Sequence, residues 1–136
     1  DMANNLQVYY QKSKNKLSKE MQSAISRGMK YSAKDYAEAI DFIKRSYDSY
    51  KEVFEDYHGI LTPSSTGVAE KGLKSTGSPE FCTVWTFMGV PSISLPLLQG
   101  ENNLPLGIQL IGNKYDDLRF LGIARWLEKK SEKHNE

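Results

Sequence analysis

The chain has 136 residues and carries 18 Lys and Arg against 17 Asp and Glu, a formal net charge of +1. This near balance argues against a general nucleic-acid binder, whose surface is dominantly basic. Hydrophobic residues make up 39% and charged residues 26%, which is typical of a globular chain and excludes a disordered one. The length fits one domain or one part of a larger domain.

Cysteine count and terminal composition set further limits. The single cysteine, Cys82, excludes an internal disulfide and a cysteine-only metal cage. No apolar run approaches the ~18 residues that a membrane-spanning helix needs, so we expect no membrane partner. Residues 1–5 lack a signal-peptide pattern, and we therefore expect a soluble, cytoplasmic protein. Because no initiator Met precedes Asp1, we also expect a processed or truncated piece.

The first half of the chain has the composition of helices. Residues 1–57 contain no proline, whereas all five prolines follow them. Four apolar residues recur at every fourth position: Leu17, Met21, Ile25 and Met29. They predict a helix that Ser18 caps and that ends near Gly28.

A second helix is predicted after Ser32, which has an acid, Asp35, three residues later as in a capping box. An apolar and aromatic stripe follows in steps of three and four: Tyr36, Ile40, Ile43, Tyr47, Tyr50, Phe54 and Tyr57. The spacing predicts one long helix of roughly 25 residues, about 37 Å in length. We interpret the stripe as core packing, and the alternative is a surface for a partner.

The second half predicts short strands and helices separated by turns. Residues 59–63 indicate a short buried strand that Pro63 ends, and residues 64–78 indicate a surface loop. Ser78 is the predicted N-cap of a helix with Pro79 at its first position, and Gly89 is predicted to stop it.

Residues 92–96 and 106–111 alternate as strands do, and the turn at residues 99–103 predicts that they pair antiparallel. A last helix, capped by Asp116 or Asp117, is predicted to turn four residues to the core: Leu118, Leu121, Ala124 and Leu127. The predicted order is α-α-β-α-β-β-α. We expect the charged tail, residues 129–136, to fray.

The residues alone reveal no catalytic set. Cys82 lies among aromatic residues and is interpreted as a small buried side chain. His58 and His134 have no metal-ligand spacing with another ligand, so we predict no metal ion and no cofactor. Ser64 and Ser65 follow a strand, where sites of α/β proteins often lie, but they are interpreted as a surface turn because no nucleophile-elbow or phosphate-loop motif accompanies them.

Three runs in the second half carry a family resemblance. They are Ile60-Leu61-Thr62-Pro63, Trp85-Thr86-Phe87-Met88-Gly89-Val90-Pro91 and Leu104-Pro105-Leu106-Gly107-Ile108-Gln109-Leu110-Ile111-Gly112. In this order and spacing they resemble the C-terminal part of the amidase signature family, and residues 28–36 resemble the segment that leads into the long helix of these enzymes.

The resemblance implies an α/β fold. It would be the C-terminal part of the amidase signature fold, with strands of a mixed sheet flanked by helices and a long N-terminal helical segment. Residues 1–136 would form a single unit, helical over 1–57 and mixed α/β over 58–136.

The resemblance also implies an activity. The family hydrolyses amides, or transfers ammonia from them, with a Ser–cis-Ser–Lys triad that lies in its N-terminal two-thirds. None of the triad is in this sequence, so no catalytic residue is assigned here and the chain alone is expected to be inactive.

The segment around residues 81–89 is expected to form part of the substrate pocket. Phe81, Trp85 and Thr86 are the candidate lining residues, and Cys82 is a fourth; the alternative for Trp85 is the core. Glutamine-using members of the family carry an acid here that holds the amino group of the substrate, and the nearest acid in this chain is Glu80. The aromatic residues favour a less polar amide.

The expected partners follow from the resemblance. They are the N-terminal catalytic part of the amidase or a second copy of the chain, with a small amide as substrate of the complete enzyme. Two alternatives stay open. One is a non-catalytic interaction module that binds a partner helix through the tyrosine stripe, and the other is the tail of a glutamine amidotransferase A-type subunit.

Overall fold

The computed structural model describes residues 2–73 and 75–132. Its regular elements are α1 (Met2–Ser13), α2 (Lys19–Gly28), α3 (Ala33–Lys51), α4 (Val53–Asp56), β1 (Ile60–Pro63), α5 (Glu80–Met88), β2 (Ser92–Gln99), β3 (Pro105–Ile111) and α6 (Asp117–Glu132). The chain divides into two compact units, residues 1–42 and 43–136, and α3 runs from the first into the second. The mixed helical and strand architecture confirms the predicted fold class.

The first unit contains α1, a helix that the sequence pattern did not predict. Its half-buried positions are Ala3, Leu6, Gln7, Tyr10 and Ser13, so polar side chains interrupt the apolar stripe and weaken the signal. The predicted helix α2 is confirmed: the Ser18 hydroxyl accepts a hydrogen bond from the Met21 N–H at 3.2 Å, and Ile25 is fully buried.

The predicted capping box at the start of α3 is confirmed. The Ser32 N–H donates to Asp35 Oδ2 at 2.7 Å, and the Asp35 N–H donates to Ser32 Oγ at 3.1 Å. The prediction of one long helix is wrong, because α3 ends at Lys51 and a separate short helix, α4, begins at Val53. Glu52 between them keeps helical torsions, φ −59° and ψ −30°, and accepts a tighter bond from Glu55 N three residues on.

The second unit holds an antiparallel sheet with strand order β1-β3-β2. The predicted pairing of β2 with β3 is confirmed. The prediction that β1 is buried is wrong, since its residues alternate between half-buried and exposed and Leu61 is 52% exposed. An edge strand of this sheet has one covered face only, and Pro63 at its end is tolerated at an edge.

Helices cover both faces of the sheet. On one face, α6 contributes Phe120 and Ala124 to a core with Leu95 and Leu110. On the other face lie α5 and the C-terminal half of α3, where Met88, Val90 and Ile111 form a second buried cluster. The strands therefore hold α5 by one face, and α5 carries the predicted pocket residues.

The predicted inner face of α6 is partly wrong. Leu118 is 90% exposed and Leu121 is 53% exposed, whereas Ala124 and Leu127 do pack on the core. The buried stripe consists of Phe120, Ile123, Ala124 and Leu127, which share one face at helical spacing. Gly112 makes room for the Phe120 ring, because a Cβ there would come within 2.4 Å of it.

Smaller boundaries differ by a residue or a few. Helix α5 begins at Glu80, so Pro79 takes the cap position predicted for Ser78; the Ser78 hydroxyl accepts from the Glu80 N–H at 3.3 Å. Gly89 ends α5 as predicted, with φ +66°. The surface loop predicted at residues 64–78 contains no helix or strand in its described residues, 64–73 and 75–78.

The chain end differs from expectation over part of its length. Helix α6 continues to Glu132, so the predicted fraying does not begin at Lys129. Residues 133–136, with His134, lie outside the described part. No helix within residues 2–73 and 75–132 is long and apolar enough to cross a membrane.

Candidate functional site

The four predicted pocket residues lie on two sides of α5. Phe81, Cys82 and Trp85 are half-buried and lie on the side that meets the sheet and α3, together with the buried Met88. Thr86 is exposed and lies on the outer side. Helical spacing explains the division: Trp85 and Met88, four and seven residues after Phe81, share its face, Cys82 lies at the edge of that face, and Thr86 lies beyond Cys82 on the outer side. The fold therefore groups three of the four candidates.

Trp85 contributes to the core cluster of Met88, Val90 and Ile111. Its ring lies 5.5 Å from the Tyr50 ring at an interplanar angle of 48°, and Tyr50 in turn meets Phe54 edge-on at 5.1 Å. Such offset aromatic pairs stabilise beyond the area they bury. Trp85 is thus held on the α3 side while part of its surface stays open.

Tyr50 brings an unusual buried group to this cluster. Its hydroxyl oxygen is buried and has no hydrogen-bond partner among the described residues. Burial raises the pKa of the Tyr50 hydroxyl, because the charged phenolate would lose its hydration. Burial therefore favours the neutral form of this hydroxyl.

Cys82 lies between two acceptors on different elements. Its Sγ lies 3.5 Å from both the Ser64 carbonyl oxygen and Gln109 Oε1, and the single thiol proton is shared between these two acceptors. The interpretation of Cys82 as a small buried side chain is only partly right, because Cys82 is half-buried and its neighbours are polar as well as aromatic. The hydrogen bonds described for this side chain go to two neutral carbonyl oxygens and to no cationic side chain, whereas an activated cysteine has such a charge or a base beside it.

A polar cluster under α5 escaped the sequence prediction. Gln109 is only 4% exposed, and its Nε2 donates to the Phe81 carbonyl oxygen at 3.1 Å. The hydroxyls of Ser64 and Ser94 lie 2.7 Å apart. The available signal was the alternation in β3, which places Gln109 on the face opposite Ile108 and Leu110, where a buried polar residue calls for partners.

Gly107 allows the two serines to meet. A Cβ at Gly107 would come within 2.5 Å of Ser94 Oγ and 2.7 Å of Ser64 Oγ, so the hydroxyl pair lies directly above its Cα. The Ser64 N–H also donates to the Gly107 carbonyl oxygen at 3.0 Å. The described hydrogen bonds of both hydroxyls include no Lys or His that could act as a base.

The remaining predicted residues lie apart from this cluster. Glu80 is exposed at the start of α5. His58 Nδ1 lies 2.7 Å from Arg119 Nη2; because a guanidinium can only donate, the ring nitrogen accepts. Among the described residues, no group of three or more His, Cys, Asp or Glu side chains could hold a metal ion.

The family model for amidases matches residues 2–121. The chain belongs to the amidase family. The match includes the helical first half, the sheet, α5 and the start of α6, so the resemblance stated from the sequence is confirmed.

Curated relatives of this amidase chain carry one recurring name. The chain is 35% identical over 102 residues to the A-type subunit of glutamyl-tRNA(Gln) amidotransferase from Alkaliphilus metalliredigens, covering 70% of this chain and 21% of the relative. It is 36% identical over 97 residues to the same protein of Desulforamulus reducens, covering 66% of this chain and 19% of the relative. The chain thus spans about a fifth of the length of these relatives.

Solved structures share the fold. A crystal structure of an amidase superposes with a TM-score of 0.78 over 94% of this chain and 32% of its own, at 22% identity. The 6-aminohexanoate cyclic dimer hydrolase complexed with substrate superposes with a TM-score of 0.62 over 88% of this chain and 30% of its own, at 15% identity. About two-thirds of each neighbour has no counterpart in this chain.

Proposed function

We propose that this chain is the C-terminal portion of an amide hydrolase and supplies scaffold and one wall of its substrate pocket. The family match over residues 2–121 is the observation that carries this proposal. The Ser–cis-Ser–Lys triad that performs the chemistry in the family belongs to the part of the enzyme outside this chain. The chain alone is therefore inactive toward amides.

The proposed wall is helix α5. Phe81, Trp85 and Thr86 line the pocket, with Cys82 beside them, and the substrate is a small amide. The aromatic side chains favour a substrate with apolar groups next to the amide, since binding sites for such groups are lined mainly by hydrophobic and aromatic residues. The open part of Trp85 supports this assignment, and its contact with Tyr50 fixes the ring orientation.

The proposed partner is the N-terminal catalytic part of the enzyme or a second copy of the chain. Several large apolar side chains of the second unit support an interaction surface, because they are exposed: Leu61, Leu118, Leu121 and Trp126. We assign the complete enzyme to the cytoplasm, where the unbridged Cys82 would remain a thiol, and expect it to be an oligomer.

A second candidate is the tail of a glutamine amidotransferase A-type subunit. The names of the curated relatives favour it, since both of those described above belong to such an amidotransferase. The two candidates differ in the fate of the ammonia, which a hydrolase releases and an amidotransferase delivers to an acceptor.

The test is expression of the entire reading frame that contains the codon for Asp1, followed by an assay of ammonia release. A panel of small aliphatic and aromatic amides, with glutamine included, identifies the substrate class. We expect release from at least one amide by the full product and none by residues 1–136 alone. If the protein expressed from the entire reading frame hydrolyses no amide, glutamine included, the proposal is wrong.

The interaction-module alternative makes a different prediction for the isolated chain. An enzyme portion with uncovered apolar surface is expected to self-associate and to bind an environment-sensitive apolar dye. Substitution of Leu118 and Leu121 by Lys should reduce both effects, and Leu127→Lys, at a core position, is the destabilising comparison. A monodisperse monomer with low dye binding would instead support the module.

A further inference from the structure

One chain of hydrogen bonds crosses from the sheet to α5. It consists of Ser94, Ser64, Cys82, Gln109 and the Phe81 carbonyl group, and we call it the polar seam. Ser94 lies in β2, Ser64 directly follows β1, Gln109 lies in β3, and Phe81 and Cys82 lie in the first turn of α5. The polar seam therefore connects β2, β3 and the end of β1 to the start of α5. Aliphatic side chains could also fill the space between the sheet and α5. The presence of polar side chains there therefore calls for an explanation.

Gln109 is the central member of the polar seam. Its amide uses both ends toward the first turn of α5: Oε1 accepts from the Cys82 thiol at 3.5 Å, and Nε2 donates to the Phe81 carbonyl oxygen at 3.1 Å. With 4% of its surface exposed, water cannot replace these partners. Losing a buried partner costs far more than a hydrogen bond contributes at a wet surface.

Directional bonds restrict α5 in a way that apolar contacts do not. Hydrophobic contact has no preferred direction, so by itself it defines the rotation of a helix less sharply than a pair of directional bonds does. An amide that bonds two neighbouring residues, Phe81 and Cys82, fixes both the height and the rotation of the first turn. The bond from Cys82 to the Ser64 carbonyl oxygen then ties the same turn to the chain after β1.

We propose that Gln109 is a positioning residue of the substrate pocket, holding the α5 wall in one orientation over the sheet through the polar seam. This inference rests on the proposed role of α5 as a pocket wall. Gln109 acts through Phe81 and Cys82 and does not itself contact the substrate. Its loss therefore loosens the first turn of α5 while leaving the two apolar cores in place.

Cys82 reports on this turn directly, because it is the only cysteine in the sequence. We propose to measure its rate of alkylation by iodoacetamide in the 136-residue chain and in Gln109→Leu, which keeps the side-chain bulk but removes both hydrogen bonds. The rate should rise by about tenfold or more, as the loss of two bonds to buried groups favours local opening. Gln99→Leu is the matched control, since Gln99 is exposed and its side-chain amide donates to the Asn103 carbonyl oxygen, away from α5.

A second variant separates hydrogen bonding from bulk. In Gln109→Glu, a protonated carboxyl group offers one donor and one acceptor as the amide does, whereas the ionised form offers acceptors alone. Burial at this position, which is 4% exposed, disfavours the charged form and raises the pKa of the carboxyl above the free value of about 4.3. The alkylation rate relative to the unchanged chain at the same pH should therefore be close to one at about pH 5 and clearly higher at about pH 8. A residue that only fills space would give the same ratio at both.

Equal alkylation of Gln109→Leu and the unchanged chain overturns the inference. If that variant does not fold, Gln109→Glu decides alone, and a ratio independent of pH overturns the inference. These measurements use no substrate, so they stand apart from the test of amide hydrolysis. Where the complete product is active, Gln109→Leu should raise KM and leave kcat within about twofold, because the wall binds substrate rather than the reacting atoms; an unchanged KM overturns the pocket role.

Discussion

Two tyrosines on the inner side of α3 show how much a single hydroxyl can matter. Tyr47 Oη donates to Asn113 Oδ1 at 2.7 Å, and its ring lies under Lys114 Nζ, 4.1 Å from the centroid. Tyr50, three residues later, buries a hydroxyl that has no partner in the described part of the chain. The Tyr47 hydroxyl thus has a hydrogen-bond partner, whereas the Tyr50 hydroxyl has lost its contact with water and has no partner among the described residues.

Phenylalanine at these two positions should therefore have opposite effects. We expect Tyr50→Phe to leave the free energy of unfolding unchanged or raise it by about 1 kcal/mol, because it removes a buried group that lacks a partner among the described residues. Tyr47→Phe should lower it by about 1 kcal/mol, because the hydrogen bond to Asn113 is lost. Urea denaturation followed by fluorescence measures both, and equal destabilisation would contradict the assignment.

At the scale of elements, helix ends carry specific roles. Gly89 ends α5 with φ +66°, a left-handed conformation that is unfavourable for residues with a Cβ. A Cβ at this position would have room, since its nearest contact would be Lys114 Nζ at 3.8 Å. Gly122 lies inside α6, and a Cβ there would meet nothing within 4 Å among the described residues. The two glycines thus differ in backbone conformation and not in available space.

Alanine at these glycines should separate the two roles. Gly89→Ala is expected to destabilise by about 1–2 kcal/mol through the left-handed backbone. Gly122→Ala is expected to stabilise by about 0.5–1 kcal/mol through helix propensity. Thermal melting of both variants checks the pair, and a stabilising Gly89→Ala would show that α5 ends differently from the geometry described above.

The capping box of α3 gives that helix a dependence on acid. The backbone N–H and the hydroxyl of Ser32 lower the pKa of Asp35, because both donate to the charged carboxylate. The charged Asp35 carboxylate therefore stabilises the folded chain. This stabilisation is fully present above the pKa of Asp35 in the unfolded chain, about 3.8, and is lost as the pH falls through the lower pKa of the folded chain.

Circular dichroism from neutral to acidic pH tests the cap. The unchanged chain should lose part of its helical signal below about pH 4, whereas Asp35→Asn should start lower and change less over that range. Glu38→Gln is the control, since the Glu38 ion pair with Lys34 is exposed and outside the cap. Identical acid profiles for Asp35→Asn and the unchanged chain would rule out this role.

Elements with local signals were predictable, and those set by tertiary packing were not. The caps of α2 and α3 and the β2–β3 hairpin follow from short-range residue chemistry, and their positions could be read from the residues. Helix α6 has apolar residues on two sides, so only the space above Gly112 decides that Phe120 rather than Leu118 turns inward. Helix α1 escaped because Gln7 lies on its inner side.

The candidate site was predictable in the same uneven way. Phe81, Cys82 and Trp85 could be grouped from the resemblance alone, and helical spacing puts them on one side. The role of Gln109 could not be found from its strand, because its partners come from residues about 28 positions away. A pattern within one element cannot reveal a hydrogen bond that only the packed fold creates.

At the scale of the whole molecule, the chain has a well-defined sheet with two covered faces and a family match over almost its whole length. It spans about a fifth of the relatives' length and about a third of its structural neighbours. We propose that it completes a catalytic part encoded with it.

Split complementation is the decisive measurement. The reading frame that contains the codon for Asp1 is expressed as two polypeptides, the part upstream of Asp1 and residues 1–136, and ammonia release from the preferred amide is measured for each and for the mixture. We predict activity in the mixture and none in either part. Hydrolysis by residues 1–136 alone, or an upstream part that is fully active without them, would contradict the proposal.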